Sequence, residues 1–291
     1  MSLRKLPEIT LLNGMLGQDF DAALERHQKL GIRLLDLKDS IFGKNFADLT
    51  KEEALAARVL IEKRDLEVYT LSSSLCHRDI EQGQEAFQRG VEDELSRVLE
   101  VAAIFRPRSI RLLSAWSSRR AEFSDSIAHL DQHHPWIYSV YRQCIDRLFD
   151  AGYTVFIENE ADRNIFSSVA EIRSFFERLN YRERVKLTWD IQNLWQMGTL
   201  PSLEVYEALK DLVGYLHFKG GQGSPEGKLA WASSLADASW PVARIVQRAV
   251  EDGNIPVFCL NPSHGEQRSG YDAAAVAEQD VLFLQQLIGK A

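Results

Sequence analysis

The sequence predicts an α/β protein, a single (β/α)8 TIM barrel spanning residues 1–291. Three observations predict it. Eight short apolar runs recur along the chain, each followed by a longer stretch of helical periodicity, the alternation that builds a parallel sheet. A helix-end, glycine, strand-start junction occurs three times, at Leu30-Gly31-Ile32, Ala151-Gly152-Tyr153 and Asp252-Gly253-Asn254, and glycine accepts the left-handed backbone that ends a helix. The 291 residues also suit eight such units in a closed barrel, typically about 250 residues before insertions. An open doubly wound sheet is the alternative, but Asn13-Gly14-Met15-Leu16-Gly17 after the first strand is a poor match to a dinucleotide fingerprint.

Strands are expected at residues 9–13, 33–38, 66–72, 109–114, 153–158, 185–190, 213–219 and 255–261. The helices rest on local chemistry. Thr50 followed by Glu53, and Ser168 followed by Glu171, have the spacing of a capping box, in which two side chains satisfy orphan amides at a helix start. Leu95, Val98, Leu99 and Ala102 repeat on one face of an amphipathic helix. A polar loop over 117–132 is the expected insertion, with a helix over 135–150 after it. Ala273, Ala277, Val281, Leu284 and Ile288 form one face of a C-terminal helix.

A hydrophobic fraction of 45% with 26% charged residues is ordinary for a globular chain with a sizeable core. Lys and Arg total 34 against 42 Asp and Glu, so the formal charge is 34 − 42 = −8. That surplus of acid opposes generic attraction to a phosphate backbone, so nucleic acid is not an expected partner. Cys76, Cys144 and Cys259 are odd in number and widely spaced, which indicates neither a disulfide scaffold nor a zinc finger. The opening MSLRKLPEIT lacks the apolar stretch of a signal peptide. No apolar run approaches the ~18 residues of a membrane span. A cytoplasmic chain with no membrane association is the expectation.

Strand alternation then locates candidate chemistry, because active sites of barrels sit at the C-terminal strand ends. In 154–158, Val155 and Ile157 suit the helix layer and Glu158 points inward at the rim. The same parity turns Asp190 inward on the sixth strand, His217 and Lys219 on the seventh, Asn261 on the eighth, and Asp36 and Lys38 on the second. Glu, Asp, His and Asn from four successive strands make a mixed oxygen and nitrogen site suited to one divalent ion, Mn²⁺, Mg²⁺, Co²⁺ or Zn²⁺. Each inward charge read alone is equally a rim residue or half of an ion pair with Lys38 or Lys219.

At these residues the chain resembles the xylose isomerase-like TIM-barrel superfamily, which includes sugar and sugar-phosphate isomerases and epimerases, and endonuclease IV. The marks are Phe156-Ile157-Glu158-Asn159, Thr188-Trp189-Asp190-Ile191-Gln192-Asn193, Leu216-His217-Phe218-Lys219 and Leu260-Asn261-Pro262-Ser263-His264, in order along the chain. The resemblance implies Glu158, Asp190 and His217 as metal ligands. Asn261 stands where the family's fourth ligand, a Glu, precedes Pro; Asn193 stands where many relatives have a substrate-contacting His; Gly220 stands where the strand-seven motif often continues with Asp.

The activity implied is a metal-dependent isomerase or epimerase of a sugar, sugar phosphate or related polyol, with proton transfer through an enediolate and Glu158 as base. Two-base epimerisation needs a second carboxylate, whereas Asn261 offers only a neutral amide. Glu158 alone suits a one-base shuttle, with Lys38 or Lys219 as acid, as orienting groups, or as the positive charge in place of a metal. Asn193, Trp116 and His264 are expected to meet substrate, and Asn261 or His264 to serve as a weak fourth ligand. The endonuclease reading needs a larger His and carboxylate set than the strand ends offer, and His77 reads as a surface residue. Gly220-Gly221-Gln222-Gly223-Ser224 is either a phosphate-binding loop or a flexible turn. The expected partner is a small carbohydrate-like molecule, and a homo-oligomer is compatible with the sequence. Two other readings remain: a barrel that binds a small polar ligand without turnover, supported by Asn261, and a lyase forming a Schiff base on Lys38 or Lys219.

Overall fold

The eight apolar runs form eight parallel strands in the computed structural model, which describes residues 6–289: β1 (Glu8–Leu11), β2 (Leu34–Leu37), β3 (Glu67–Ser72), β4 (Ser109–Leu113), β5 (Thr154–Glu158), β6 (Val185–Asp190), β7 (Val213–Phe218) and β8 (Val257–Leu260). Of the opening segment read for a leader, residues 1–5 lie outside the described residues. Around the barrel the order is β1-β8-β7-β6-β5-β4-β3-β2. Between β1 and β2 the ladder reduces to a parallel bridge from Leu12 to Asp36, and the Thr10 hydroxyl donates to Leu34 O at 2.7 Å across the seam. The barrel is thus nearly closed, a single (β/α)8 fold as the sequence predicts.

Alternation divides the strands' side chains into two cores. Leu34, Tyr69, Phe156, Tyr215, Val257 and Cys259 fill the barrel interior. Val155, Ile157, Leu187, Trp189, Leu216, Phe218, Phe258 and Leu260 belong to the larger cluster between sheet and helices. Strands covered on both faces read as continuous apolar runs, which is why they were visible in the sequence. All three cysteines are buried and unbridged.

Ten α-helices are present among the described residues, and none is long and apolar enough to cross a membrane. Thr50 and Glu53 make both bonds of their capping box. Ser168 accepts the Glu171 amide, but the Glu171 carboxylate turns away to the amides of Ser126 (2.9 Å) and Ser167 (2.8 Å). It thereby ties the helix Val169–Leu179 to the helix Ser126–His133, which stands where the sequence predicts the end of a polar loop over 117–132. Gly31, Gly152 and Gly253 have φ of 72°, 93° and 67°, the left-handed backbone their junctions require. One element has no counterpart in the sequence reading. After β7 a short antiparallel ribbon pairs Gln222–Gly223 with Leu229–Trp231; its strands are too short for any periodicity to show.

The C-terminal helix Ala273–Ile288 buries Ala277, Val281, Leu284 and Ile288. It also buries Asp280, whose carboxylate accepts the Leu235 amide at 2.7 Å. Burial pushes the Asp280 carboxyl up to about 7. A folded pKa above the unfolded value contributes stability below the unfolded pKa that is lost as pH rises through the folded one. Asp280→Asn keeps an acceptor for Leu235 and removes the ionisation. It is expected to leave stability unchanged near pH 4 and to raise it by about 1–3 kcal/mol at pH 8; urea unfolding at the two pH values checks this, and an equal effect at both would contradict it.

Candidate active site

The C-terminal strand ends converge on one buried cluster. Asp190 ends β6 and starts the helix Ile191–Gln196, so its Oδ1 accepts the amides of Gln192 (3.0 Å) and Asn193 (2.8 Å). Its Oδ2 lies 2.7 Å from the Lys219 Nζ. The Asn159 amide brackets the Asp190 backbone, donating to its carbonyl (2.8 Å) and accepting its N–H (2.9 Å), which fixes the ends of β5 and β6 in register. Glu158 lies between two cations or potential cations: His217 Nδ1 is 2.8 Å from Oε1, and the Arg111 Nε is 2.8 Å from Oε2. Glu158, Asp190, His217 and Arg111 are all buried, none more than 3% exposed.

Deeper in the barrel, Asp36 accepts the hydroxyls of Ser72 (2.5 Å) and Tyr215 (2.9 Å). His217 Nε2 is 3.9 Å from its Oδ2. Burial raises the Asp36 carboxyl against the opposing charges of His217 and Arg111. Burial likewise raises Asp190, against the pull of Lys219. At Glu158 burial also opposes ionisation, but Arg111 and His217 together outweigh it and hold the carboxyl well below the usual range.

Lys219 is the hub of the outer part. Its ammonium meets Asp190, the Asn193 Oδ1 at 2.9 Å and the His264 Nε2 at 2.7 Å. An ammonium has three N–H donors, so this set occupies all of them. Asn193 is itself held by the Asn159 carbonyl (3.2 Å) and Glu160 (2.8 Å). Desolvation by surrounding protein and the Lys219 charge lower the His264 imidazole, even though the residue as a whole is exposed. Its backbone amide donates to Gln192 Oε1 at 2.6 Å.

The donor atoms of Glu158, Asp190 and His217 lie within 4.8 Å of one another, and Asn261 Nδ2 is 3.0 Å from His217 Nδ1. Glu158 Oε2, Asp190 Oδ2 and His217 Nε2 are buried without a hydrogen bond of good geometry; for the two carboxylates the facing cations are close but misaligned. One imidazole nitrogen has a single in-plane site, so it cannot bond both Glu158 and Asn261. The three unbonded acceptors fit a small divalent cation, with two carboxylate oxygens and one imidazole as donors; Asn261 adds a fourth only with its amide oxygen turned toward them. Arg111 and Lys219 compete with it for the same carboxylates.

Seven of the nine residues expected at the site therefore meet: Glu158, Asp190, His217, Lys219, Asn193, Asn261 and His264. Lys38 is half-buried just after β2, its backbone amide donating to the Asn13 side-chain oxygen at 2.9 Å, and its charge reaches His264. Trp116 lies in the loop after β4, bridging to Asp79 and Asn164, with the Arg163 guanidinium 4.7 Å over its ring. His77 is half-buried rather than on the surface, its Nδ1 3.2 Å from Ser114 O. The glycine segment after β7 enters the ribbon. The Gly223 amide donates to the Ser239 hydroxyl (2.7 Å), and a Cβ at Gly220 would stand 2.0 Å from Ser233 O, which excludes the Asp that relatives often carry there. Sequence reading missed Arg111. Its signal was present in Ser109-Ile110-Arg111-Leu112-Leu113, where Ile110 and Leu112 face the helices and Arg111 must face in.

Comparison with known proteins agrees with this architecture. The xylose isomerase-like TIM barrel family model matches residues 23–273. No curated protein matches the chain by sequence. Among solved structures, the chain is similar to 3-keto-D-glucoside 4-epimerase from E. coli, at 14% identity and a TM-score of 0.70, covering 96% of this chain and 99% of that one. It is similar to D-psicose 3-epimerase from Clostridium cellulolyticum H10, solved with D-tagatose, at 11% identity, TM-score 0.70 and 97% and 99% coverage. A xylose isomerase-like TIM barrel protein from Mycobacterium smegmatis, in complex with magnesium, shares 16% identity, with a TM-score of 0.69 and 98% of each chain covered. With eight strands in barrel order and the family model spanning most of its length, the chain belongs to the xylose isomerase-like TIM-barrel family.

Proposed function

We propose that the protein is a cytoplasmic, divalent-metal-dependent isomerase or epimerase of a small sugar, sugar phosphate or related polyol. The observation that carries this reading is the buried convergence of Glu158, Asp190 and His217 donors within 4.8 Å, beside a lysine that also bonds the exposed residue His264. The epimerases similar in fold support the substrate class. Glu158, Asp190, His217 and Asn261 would hold the ion. When bound, it supplies Lewis-acid stabilisation of negative charge on substrate oxygens.

Glu158 is the proton acceptor. Arg111 and His217 keep it ionised throughout the physiological range, and Oε2 retains an unbonded lone pair. The same charges make it a weak base. The substrate's C–H must accordingly be acidified by fixed positive charge, in which Arg111 and Lys219 take part. Lys219 reaches the substrate when a hydroxyl or carbonyl oxygen replaces His264 as its third acceptor, since Asp190 and Asn193 are buried and His264 is the exposed member of the three. There it orients the substrate and returns a proton to oxygen, while Asn193 positions it. Lys38 lies close enough to contribute charge at the outer edge, and Trp116, in the loop after β4, is the aromatic proposed to meet the substrate. With one carboxylate base and Asn261 opposite, a one-base transfer between neighbouring carbons is favoured over two-base epimerisation.

The test is a panel of aldoses and ketoses, free and phosphorylated, incubated in D₂O with Mn²⁺, Mg²⁺ or Co²⁺. Interconversion, or deuterium uptake at one carbon, is expected with an added ion and not after EDTA treatment. A panel with neither turnover nor exchange would sink the reading. A second reading, a ligand-binding barrel without turnover, draws on one feature: Arg111 and Lys219 already balance the two carboxylates. It would gain if sugars raised Tm without any exchange. Asn261→Glu supplies the missing charge and is expected to tighten the ion by about 10–100-fold, read by isothermal titration; unchanged affinity would place the ion elsewhere.

A further inference from the structure

A second set of metal-ligand side chains is drawn together outside the barrel mouth, by the loops that follow β3 and β4. Glu81 sits in the short helical turn Ile80–Gln82. His129 and His133 lie one turn apart near the end of the helix Ser126–His133, and His134 follows at its C-cap. Three of the chain's 7 histidines thus fall within one short stretch. His129 Nε2 is 2.9 Å from Glu81 Oε1, and His134 Nε2 is 3.2 Å from Oε2. Donor atoms of all three residues lie within 4.8 Å of one another. Both rings are buried, at 8% and 9% exposure. Phe123 stacks on His129 with ring centres 4.0 Å apart and planes within 10°, so the imidazole cannot turn away.

Two imidazole nitrogens converging on one carboxylate require a proton on each nitrogen, because an ionised carboxylate only accepts. A divalent ion replaces both protons. The separations of 2.9 and 3.2 Å are close to the edge of about 3.3 Å expected between ligands of a tetrahedral zinc with bonds near 2.0–2.1 Å. The nitrogen-rich donor set selects zinc over magnesium or calcium, which prefer oxygen cages. The other groups facing Glu81 permit this. Ser117 donates to Oε1 at 2.6 Å, and Arg119, 4.0 Å from Oε2, is itself paired with Glu122 at 2.7 Å. The exposed His133 ring stands 5.0 Å from that of His129.

We propose that Glu81, His129 and His134 form a zinc site, with His133 or water as the fourth ligand, that staples the loop after β3 to the helix after β4. The site is independent of the barrel-mouth cluster and of the reaction assigned to it. The experiment uses the full chain, stripped with EDTA and labelled with ¹⁵N-histidine, and titrated with zinc sulfate against a chromophoric chelator. Zinc is expected to shift the ring nitrogens of His129 and His134 within the first two equivalents. His134→Asn is expected to lose one equivalent of tight binding, at least 100-fold in affinity, and to lose part of the zinc-induced rise in Tm. His217 resonances report separately on the barrel mouth, so the two sites are distinguishable. Unmoved His129 and His134 resonances in the wild-type protein would overturn the proposal whether or not the variant folds, as would an unchanged stoichiometry in a folded His134→Asn or Glu81→Gln.

Discussion

Glu158→Gln is expected to lower turnover by about 10²–10⁴-fold, the usual contribution of a positioned proton acceptor. It should also cost about 3–5 kcal/mol of stability, because the Arg111 guanidinium is left as an uncompensated buried cation. The pair is 2.8 Å apart, with both side chains almost fully buried. The pH dependence has a definite sign. The folded Glu158 carboxyl is held below the usual range by Arg111 and His217 against burial. A depressed folded pKa contributes stability that is present above the unfolded value, about 4.3, and is lost as pH falls through the folded one. The stability gap between wild type and Glu158→Gln should therefore hold from pH 8 to pH 5 and shrink below pH 4. Urea unfolding across that range, with initial rates at pH 7, reads both effects. A variant that turns over within tenfold of wild type would remove Glu158 from the chemistry, and a gap growing in acid would contradict the charge assignment.

Lys219→Met tests the opposite half of the cluster. Asp190 is fully buried, and Lys219 Nζ at 2.7 Å is its nearest cation. Deleting the ammonium while keeping the stem is expected to cost about 3–5 kcal/mol in metal-free protein. If Lys219 and a divalent ion compete for the Asp190 and Glu158 oxygens, the ion should stabilise the variant more than the wild type. A Mn²⁺-induced rise in Tm larger by about 5–10 °C is the expected difference, since 1 kcal/mol corresponds to about 2–4 °C in a chain approaching this size. Equal shifts in the two proteins would mean that Lys219 and the ion do not share ligands. Turnover should fall with the same substitution, because methionine has no N–H to offer the substrate.

How far the site could be read beforehand depended on strand position. Glu158 and Asp190 end their strands, His217 is one residue before the end of β7 and Asn261 one past the end of β8, where period-two alternation and the rim rule together name a direction and a depth. Arg111 obeys the same alternation but sits within β4, one layer below the rim, and an inward arginine there has no meaning until Glu158 is seen beside it. The partners of Lys219 followed a different logic. Asn193 comes from the two-turn helix that starts at the end of β6 and His264 from the loop after β8, and neither so short a helix nor a loop leaves a periodicity in the sequence. Trp116 shows the converse. Its position near the strand ends suggested a sugar platform, yet local bridges and the Arg163 guanidinium determine its surroundings.

By itself the sequence determined the number and order of strands, their parallel arrangement, the face each side chain takes and the family. These follow from patterns only a few residues long, repeated eight times, and burial on both faces made each one apolar. Only the tertiary structure decided which charges meet. Arg111 with Glu158, Lys219 with Asp190, and Glu81 with His129 and His134 are separated by 29 to 53 positions along the chain. Such pairings depend on neighbouring strands and loops being brought within a few ångströms. Coulombic and hydrogen-bonding energies at that range turn on distance and burial, neither of which composition or spacing encodes.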